Sequence, residues 1–121
     1  KEVYFPGLPD HSGHATSQRL LRGTGSVISW TLHHDHADSF QAVYDGPWGP
    51  VRKAPTLGSN ETLMCPYALV AHYHATDEEL LALGFPRTLL RIAVGCEPNL
   101  NEVLAGLETA LSRAFPQPGQ G

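Results

Sequence analysis

The chain has 121 residues, with eight Lys plus Arg against twelve Asp plus Glu, giving a formal net charge of −4. This length fits one domain, residues 1–121, and the absence of any basic run or basic-aromatic interleaving argues against a nucleic-acid partner. No apolar stretch approaches a membrane span and no charged-then-apolar leader opens the chain, so the expectation is a cytoplasmic protein with no membrane partner.

In chain order, residues 4–9 are extended and punctuated by Pro6 and Pro9, as suits a crossover from a preceding domain. A helix is predicted over residues 11–22, closed by Gly23 as its C-terminal cap. Residues 27–32 alternate in the manner of a strand. A second helix is predicted over residues 37–44, with Asp35 or His36 near its cap, Phe40, Val43 and Tyr44 on one side, and Gly46-Pro47 ending it. Residues 51–57 read as an extended segment leading into the turn Gly58-Ser59-Asn60, and residues 67–73 as another extended run. Thr76-Asp77-Glu78-Glu79 forms a capping box for a short helix through Leu83, stopped by Gly84 and Pro86. The last helix, residues 99–114, carries Leu100, Val103, Leu104, Leu107, Ala110 and Leu111 at three- and four-residue intervals, and Glu97 before it favours the helix dipole. Residues 116–121, rich in Pro and Gly, read as a linker or tail. These elements predict an α+β two-layer sandwich, with helices on one face of a largely antiparallel sheet of three to four strands.

The strand before the last helix carries a cation. Alternation sends Leu90, Ile92 and Val94 to one face and Leu89, Arg91 and Ala93 to the other, so the face opposite the core presents a guanidinium. Two uses are open to Arg91: pairing with a structural Asp or Glu, or bidentate capture of a ligand carboxylate, whose two oxygens match its planar donor fork.

Six blocks in collinear order resemble one known family. Residues 89–111, LLRIAVGCEPNLNEVLAGLETAL, are similar to an LxRLSVGxE…LxxDLxxAL ending. Tyr4 to His11 resembles YPGLPSH, Gln18 to Gly23 resembles KRQMRG, and Gly25 to Trp30 resembles GGMVSFEL. Ala54 to Gly58 resembles AESLGG, and Pro66 with His74-Ala75 falls at hPASMTHA. These belong to the small C-terminal domain of fold type I pyridoxal-phosphate enzymes of Cys/Met metabolism, of the cystathionine gamma-synthase, cystathionine lyase and methionine gamma-lyase type.

The resemblance implies a substrate-recognition domain of a carbon-sulfur lyase or trans-sulfuration enzyme. Its substrates would be sulfur-containing amino acids such as cysteine, cystathionine, homocysteine or methionine. It implies that Arg91 anchors the substrate α-carboxylate, that Thr56, standing for a serine, helps hold the same group, and that Leu57 lies beside it. Pro55 departs from the Glu common in the lyases and brings no side-chain charge or hydrogen bond. The cofactor would be pyridoxal 5'-phosphate, held mainly outside this chain by a larger partner domain. Lys1 and Lys53 are the lysines present, and neither stands in a setting like the family's SxTKxxxGH segment. The isolated chain is therefore expected to be inactive, a fragment or one part of a split or multidomain protein, and the complete enzyme a homo-oligomer.

Other features have plainer readings. Cys65 and Cys96 lack the spacing of a zinc ribbon, redox motif or disulfide framework and read as buried thiols. Tyr44, Trp48 and Tyr67 read as core or interface aromatics. The histidine groups His11/His14, His33/His34/His36 and His72/His74 allow a metal-binding alternative on spacing, yet carboxylates fall in no recognised metal pattern beside them, and no metal site is predicted. A non-catalytic assembly or binding domain keeping the fold is the other alternative.

Overall fold

The computed structural model describes residues 2–32 and 37–116. Among these, five strands and five helices run in the order β1 (Glu2–Tyr4), α1 (His14–Leu20), β2 (Val27–Thr31), α2 (Ala37–Tyr44), β3 (Arg52–Lys53), β4 (Leu63–Pro66), α3 (Tyr67–Ala71), α4 (Asp77–Ala82), β5 (Leu89–Ala93) and α5 (Leu100–Ala114). No helix of the described residues is long and apolar enough to cross a membrane.

The strands form one five-stranded sheet in the order β1-β2-β5-β4-β3. β5 is antiparallel to both β2 and β4, and β1 is antiparallel to β2. β3 instead joins β4 in parallel, so the sheet is mixed rather than largely antiparallel, and it has more strands than the three to four expected. The two extra members are short edges. β1 is Glu2–Tyr4, which shares only Tyr4 with the 4–9 segment expected to be extended; beyond Phe5 that segment turns instead, the Leu8 amide donating to the Phe5 carbonyl at 3.0 Å, and β3 is the two residues of the 51–57 segment that reach the ladder.

The register settles which residues share a face. Ile28, Ile92 and Met64 lie in one cross-strand row, with Trp30 and Leu90 beside them. Trp30, Met64, Leu90 and Ile92 are buried together with Phe40 and Val43 of α2 and Val103 and Ala110 of α5, which makes one apolar core between the sheet and these two helices. Each large side chain buried in this way stabilises the fold by about 1.5–3 kcal/mol relative to exposure. Trp48 stacks at a tilt on Trp30, 6.2 Å between ring centroids, and its indole N–H donates to the Val43 carbonyl at 2.7 Å, so the turn after α2 is tied to the core at both ends of one side chain.

The predicted second helix, the capped helix at Thr76 and the last helix form where expected. Thr76 and Glu79 make both hydrogen bonds of the capping box, and the Asn99 side chain caps α5 by accepting from the Asn101 amide. Gly84, at φ +95°, turns the chain after α4.

Three further expectations fail. Residues 67–73 are not extended, because the strand lies one step earlier. Leu63–Pro66 is buried at every position, so it lacks the alternation that marks a half-exposed strand, and Pro66, without an amide donor, ends the ladder and leads into α3. α1 begins at His14 and stops at Leu20, with Leu21 extended at φ −113°, ψ 144°, so Gly23 is not its cap. Cys96 is exposed, whereas Cys65 is buried as expected. The proposed cap residues Asp35 and His36 lie outside the described residues.

Gly106 is where α5 crosses the turn after α2. A Cβ there would meet the Trp48 carbonyl carbon and oxygen, backbone atoms that cannot rotate away. Alanine is favoured over glycine in a helix by about 1 kcal/mol, but overpacking of this kind costs about 1–3 kcal/mol. Gly106→Ala is therefore expected to lower the thermal midpoint, while Gly23→Ala, where a Cβ meets nothing within 4 Å, is expected to leave it unchanged. Thermal denaturation of both variants checks this.

Candidate functional site

Arg91 is the central residue of β5, paired in register with Ser29 on β2 and Cys65 on β4. Neighbours Leu90 and Ile92 belong to the core, which sends Arg91 to the opposite face. There its guanidinium Nη2 donates to the Pro55 carbonyl at 2.6 Å, and its Cζ stands 5.3 Å from the centroid of the Tyr67 ring. The side chain forms no ion pair among the described residues. The ion pairs found there are Arg52–Glu61, Lys53–Asp45 and Arg87–Asp77, each 2.7–2.8 Å long. A guanidinium has five N–H donors, so one bond to a carbonyl leaves Arg91 with capacity for an acceptor supplied from outside.

Pro55, whose side chain offers no hydrogen bond, accepts one through its backbone carbonyl. Thr56 and Leu57 follow it directly, and both are exposed. Gly58, at φ +77°, supplies the left-handed residue of the turn that follows; Asn60 does not take that conformation. Arg91 and the 55–57 segment are thus brought together through Pro55, while among the described residues no hydrogen bond joins Thr56 or Leu57 to Arg91.

The loop carrying these residues is pinned at both ends. The Ala54 amide donates to the Met64 carbonyl at 3.0 Å, and the Cys96 amide donates to the Asn60 carbonyl at 2.6 Å. Beside the second bond, Thr62 is fully buried, and its amide and hydroxyl both donate to the Glu97 carboxylate. The same hydroxyl accepts from the Gly95 amide at 2.9 Å. A side chain at Gly95 would strike the backbone of Asn60 and Glu61, so glycine is what lets the exit of β5 lie against this loop. Glu97 was expected to serve the dipole of the last helix; its observed partner is Thr62, a contact across 35 residues that spacing cannot reveal.

Two groups around the site have shifted acidities. Hydrogen bonds from the Thr62 side chain hold the Glu97 carboxyl below its usual range, against the opposing pull of desolvation. Burial raises the Cys65 thiol, and the charge of Arg91 only partly offsets it. A raised thiol pKa keeps Cys65 neutral, which makes it a packing residue rather than a nucleophile.

Tyr67, expected as a core or interface aromatic, instead stands over Arg91. Its ring packs edge-on against Phe85 at 5.6 Å and against His72 at 6.0 Å, and His72 and Phe85 meet at 5.6 Å. Nothing in the spacing signals this, because α3 was read as extended. A separate cleft of about 220 Å³, lined by Phe40, Leu69, Asp77, Leu81, Pro86, Arg87 and Thr88, does not include Arg91. No three His, Cys, Asp or Glu side chains gather into a metal site among the described residues, and His33, His34 and His36 lie outside them.

Residues 1–112 match the family model described as Cys/Met metabolism PLP-dependent enzyme. The chain belongs to this family. It is 31% identical to cystathionine gamma-synthase of Escherichia coli over 94% of its own length and 29% of that protein's. It is 30% identical to a homocysteine/cysteine synthase of Kluyveromyces lactis, covering 93% of this chain and 27% of the relative. In three dimensions it is similar to cystathionine gamma synthase from Xanthomonas oryzae pv. oryzae in complex with cystathionine, with a TM-score of 0.82, 36% identity, and 94% and 29% of the two chains covered. The chain thus spans less than a third of the length of these relatives.

The family's cofactor is pyridoxal 5'-phosphate, and the described residues do not fit a site for it. Lys53, the one lysine among them, lies 2.7 Å from the Asp45 carboxylate and 4.2 Å from the centroid of the Tyr44 ring, on the far edge strand.

The Glu97 contact sets a pH dependence. Its folded pKa lies below the usual 4.5, so its contribution to stability is present above that value and is lost as pH falls through the lower folded one. Glu97→Gln is expected to lower the melting temperature at pH 7 and to shrink that deficit on acidification below about pH 4. Melting curves of both proteins from pH 7 to pH 3 measure it. A deficit that stays constant over that range contradicts the assignment.

Proposed function

We propose that this chain is the substrate-recognition part of a pyridoxal-phosphate-dependent carbon-sulfur lyase or trans-sulfuration enzyme acting on sulfur-containing amino acids. Arg91 binds the substrate α-carboxylate. The single observation carrying this reading is that Arg91 reaches the non-core face of a doubly paired strand with no carboxylate partner among the described residues. Arg52, Lys53 and Arg87, by contrast, each pair with an Asp or Glu.

In this reading the chain orients and the larger partner domain reacts. Two parallel N–H bonds from one planar group fix both the position and the rotation of a carboxylate, and so fix the bonds to the carbon that bears it. The Pro55 carbonyl gives the guanidinium one fixed point, and Thr56 and Leu57 line the approach beside it. With its cofactor lysine on another stretch of polypeptide, this part alone has no turnover. Substrates are cysteine, cystathionine, homocysteine or methionine, and the complete enzyme is a homo-oligomer.

The test is kinetic, in the complete enzyme. It is expected to consume at least one of these amino acids, either releasing a keto acid by elimination or yielding a new thioether amino acid by replacement, and Arg91→Ala is expected to lower kcat/KM at least about 30-fold, the effect of removing one partner of a desolvated charge pair. Arg91→Lys keeps the charge but loses the fork and should recover only part of that loss. Unchanged kcat/KM in Arg91→Ala, or no turnover of any of the four amino acids by the unaltered enzyme, contradicts the reading.

A further inference from the structure

To anchor a carboxylate, the Arg91 cation must stay in place when no carboxylate is bound. Arg91 has a long side chain with several rotatable bonds, and a single hydrogen bond to the Pro55 carbonyl leaves it free to swing about that bond. An arginine that must be ordered by its ligand loses affinity to the ordering, whereas one already aimed does not.

We propose that Tyr67 is the positioning residue for Arg91, its ring face acting as the second support of the guanidinium; this deepens the anchor reading and rests on it. The Arg91 Cζ lies 5.3 Å from the ring centroid, within the range where an arginine is held by an aromatic quadrupole. The carbonyl and the ring come from different segments, the loop after β3 and the first residue of α3, and together they restrict the side chain from two directions.

The ring is itself held. Phe85 meets it edge-on at 5.6 Å with 68° between planes, and His72 at 6.0 Å with 65°. Phe85 stands where it does because Gly84 turns the chain at φ +95° and the Phe85 amide donates to the Leu80 carbonyl at 3.2 Å, which fastens the ring to α4. Tyr67 is also fixed along the chain. Pro66 before it is buried and paired with Leu90 on β5, one residue from Arg91. The side chain over the guanidinium and the strand bearing it are therefore parts of one hydrogen-bonded frame. A ring face supports a cation without competing for the ligand, because it offers no acceptor that the carboxylate would have to displace.

The experiment measures equilibrium binding to the complete, cofactor-loaded enzyme of two probes: L-alanine, which has no leaving group, and ethylamine, the same molecule without its carboxylate. Tyr67→Leu is expected to weaken L-alanine about three- to tenfold, as loss of a partly desolvated cation–aromatic contact would, and to leave ethylamine unchanged. Tyr67→Phe, which keeps the ring face, is expected to bind both as the unaltered enzyme does. Adding Tyr67→Leu to Arg91→Ala should weaken L-alanine no further than Arg91→Ala alone. The inference is overturned if Tyr67→Leu leaves L-alanine unchanged, if it weakens both probes alike, or if Tyr67→Phe behaves as Tyr67→Leu. If Arg91→Ala itself leaves L-alanine unchanged, the anchor reading fails first, and the inference fails with it.

Discussion

β5 is hydrogen-bonded along both edges, to β2 and to β4, and the site depends on that double pairing. A strand has a side-chain period of two, so a slip of one residue would bring Arg91 into the core and expel Leu90 and Ile92. The apolar contacts of Leu90 and Ile92 with α2 and α5 oppose such a slip strongly. Packing on one face thereby aims a charge on the other. The guanidinium is directed by residues it never touches, which explains how so small a domain can hold a long polar side chain in one region.

The surroundings of Arg91 follow from a second constraint, the tie between the start of β4 and the exit of β5. Thr62 is buried and would be costly if unpaired, and its amide and hydroxyl are satisfied by Glu97 while the hydroxyl also accepts from Gly95. The bond from the Cys96 amide to the Asn60 carbonyl closes the same corner. Together these contacts keep the loop from Ala54 to Asn60 beside β5 even though most of its side chains are exposed. Pro55 can then serve Arg91 through its carbonyl, while Thr56 and Leu57 are exposed.

Where periodicity was strong, the sequence was readable. The stripe from Leu100 to Leu111 yields α5, the Thr76–Glu79 box yields α4, and the alternation around Arg91 yields β5 and the face on which it stands. The failures have a common physical source: elements whose environment is set by distant chain. Leu63–Pro66 is covered on both sides and so shows no alternation, which shifted the strand into what is α3. β1 and β3 are short edges made by pairing rather than by propensity. Arg91 was legible as a candidate because it interrupts an apolar strand, but its contacts to Pro55 and Tyr67 join residues 36 and 24 positions away, and no local pattern records them. The family blocks point to the family; they do not reveal the contact of Tyr67 with Arg91, which depends on where α3 begins.

A crystal structure of the complete enzyme with a bound sulfur amino acid tests the central claim most directly, through the distances from the Arg91 guanidinium to the ligand carboxylate. The account predicts two N–H···O contacts in the charge-assisted range of about 2.7–2.9 Å, with the Pro55 bond and the Tyr67 ring contact retained. A ligand whose carboxylate is bound by other residues, with Arg91 still engaged only by Pro55 and Tyr67, would contradict it.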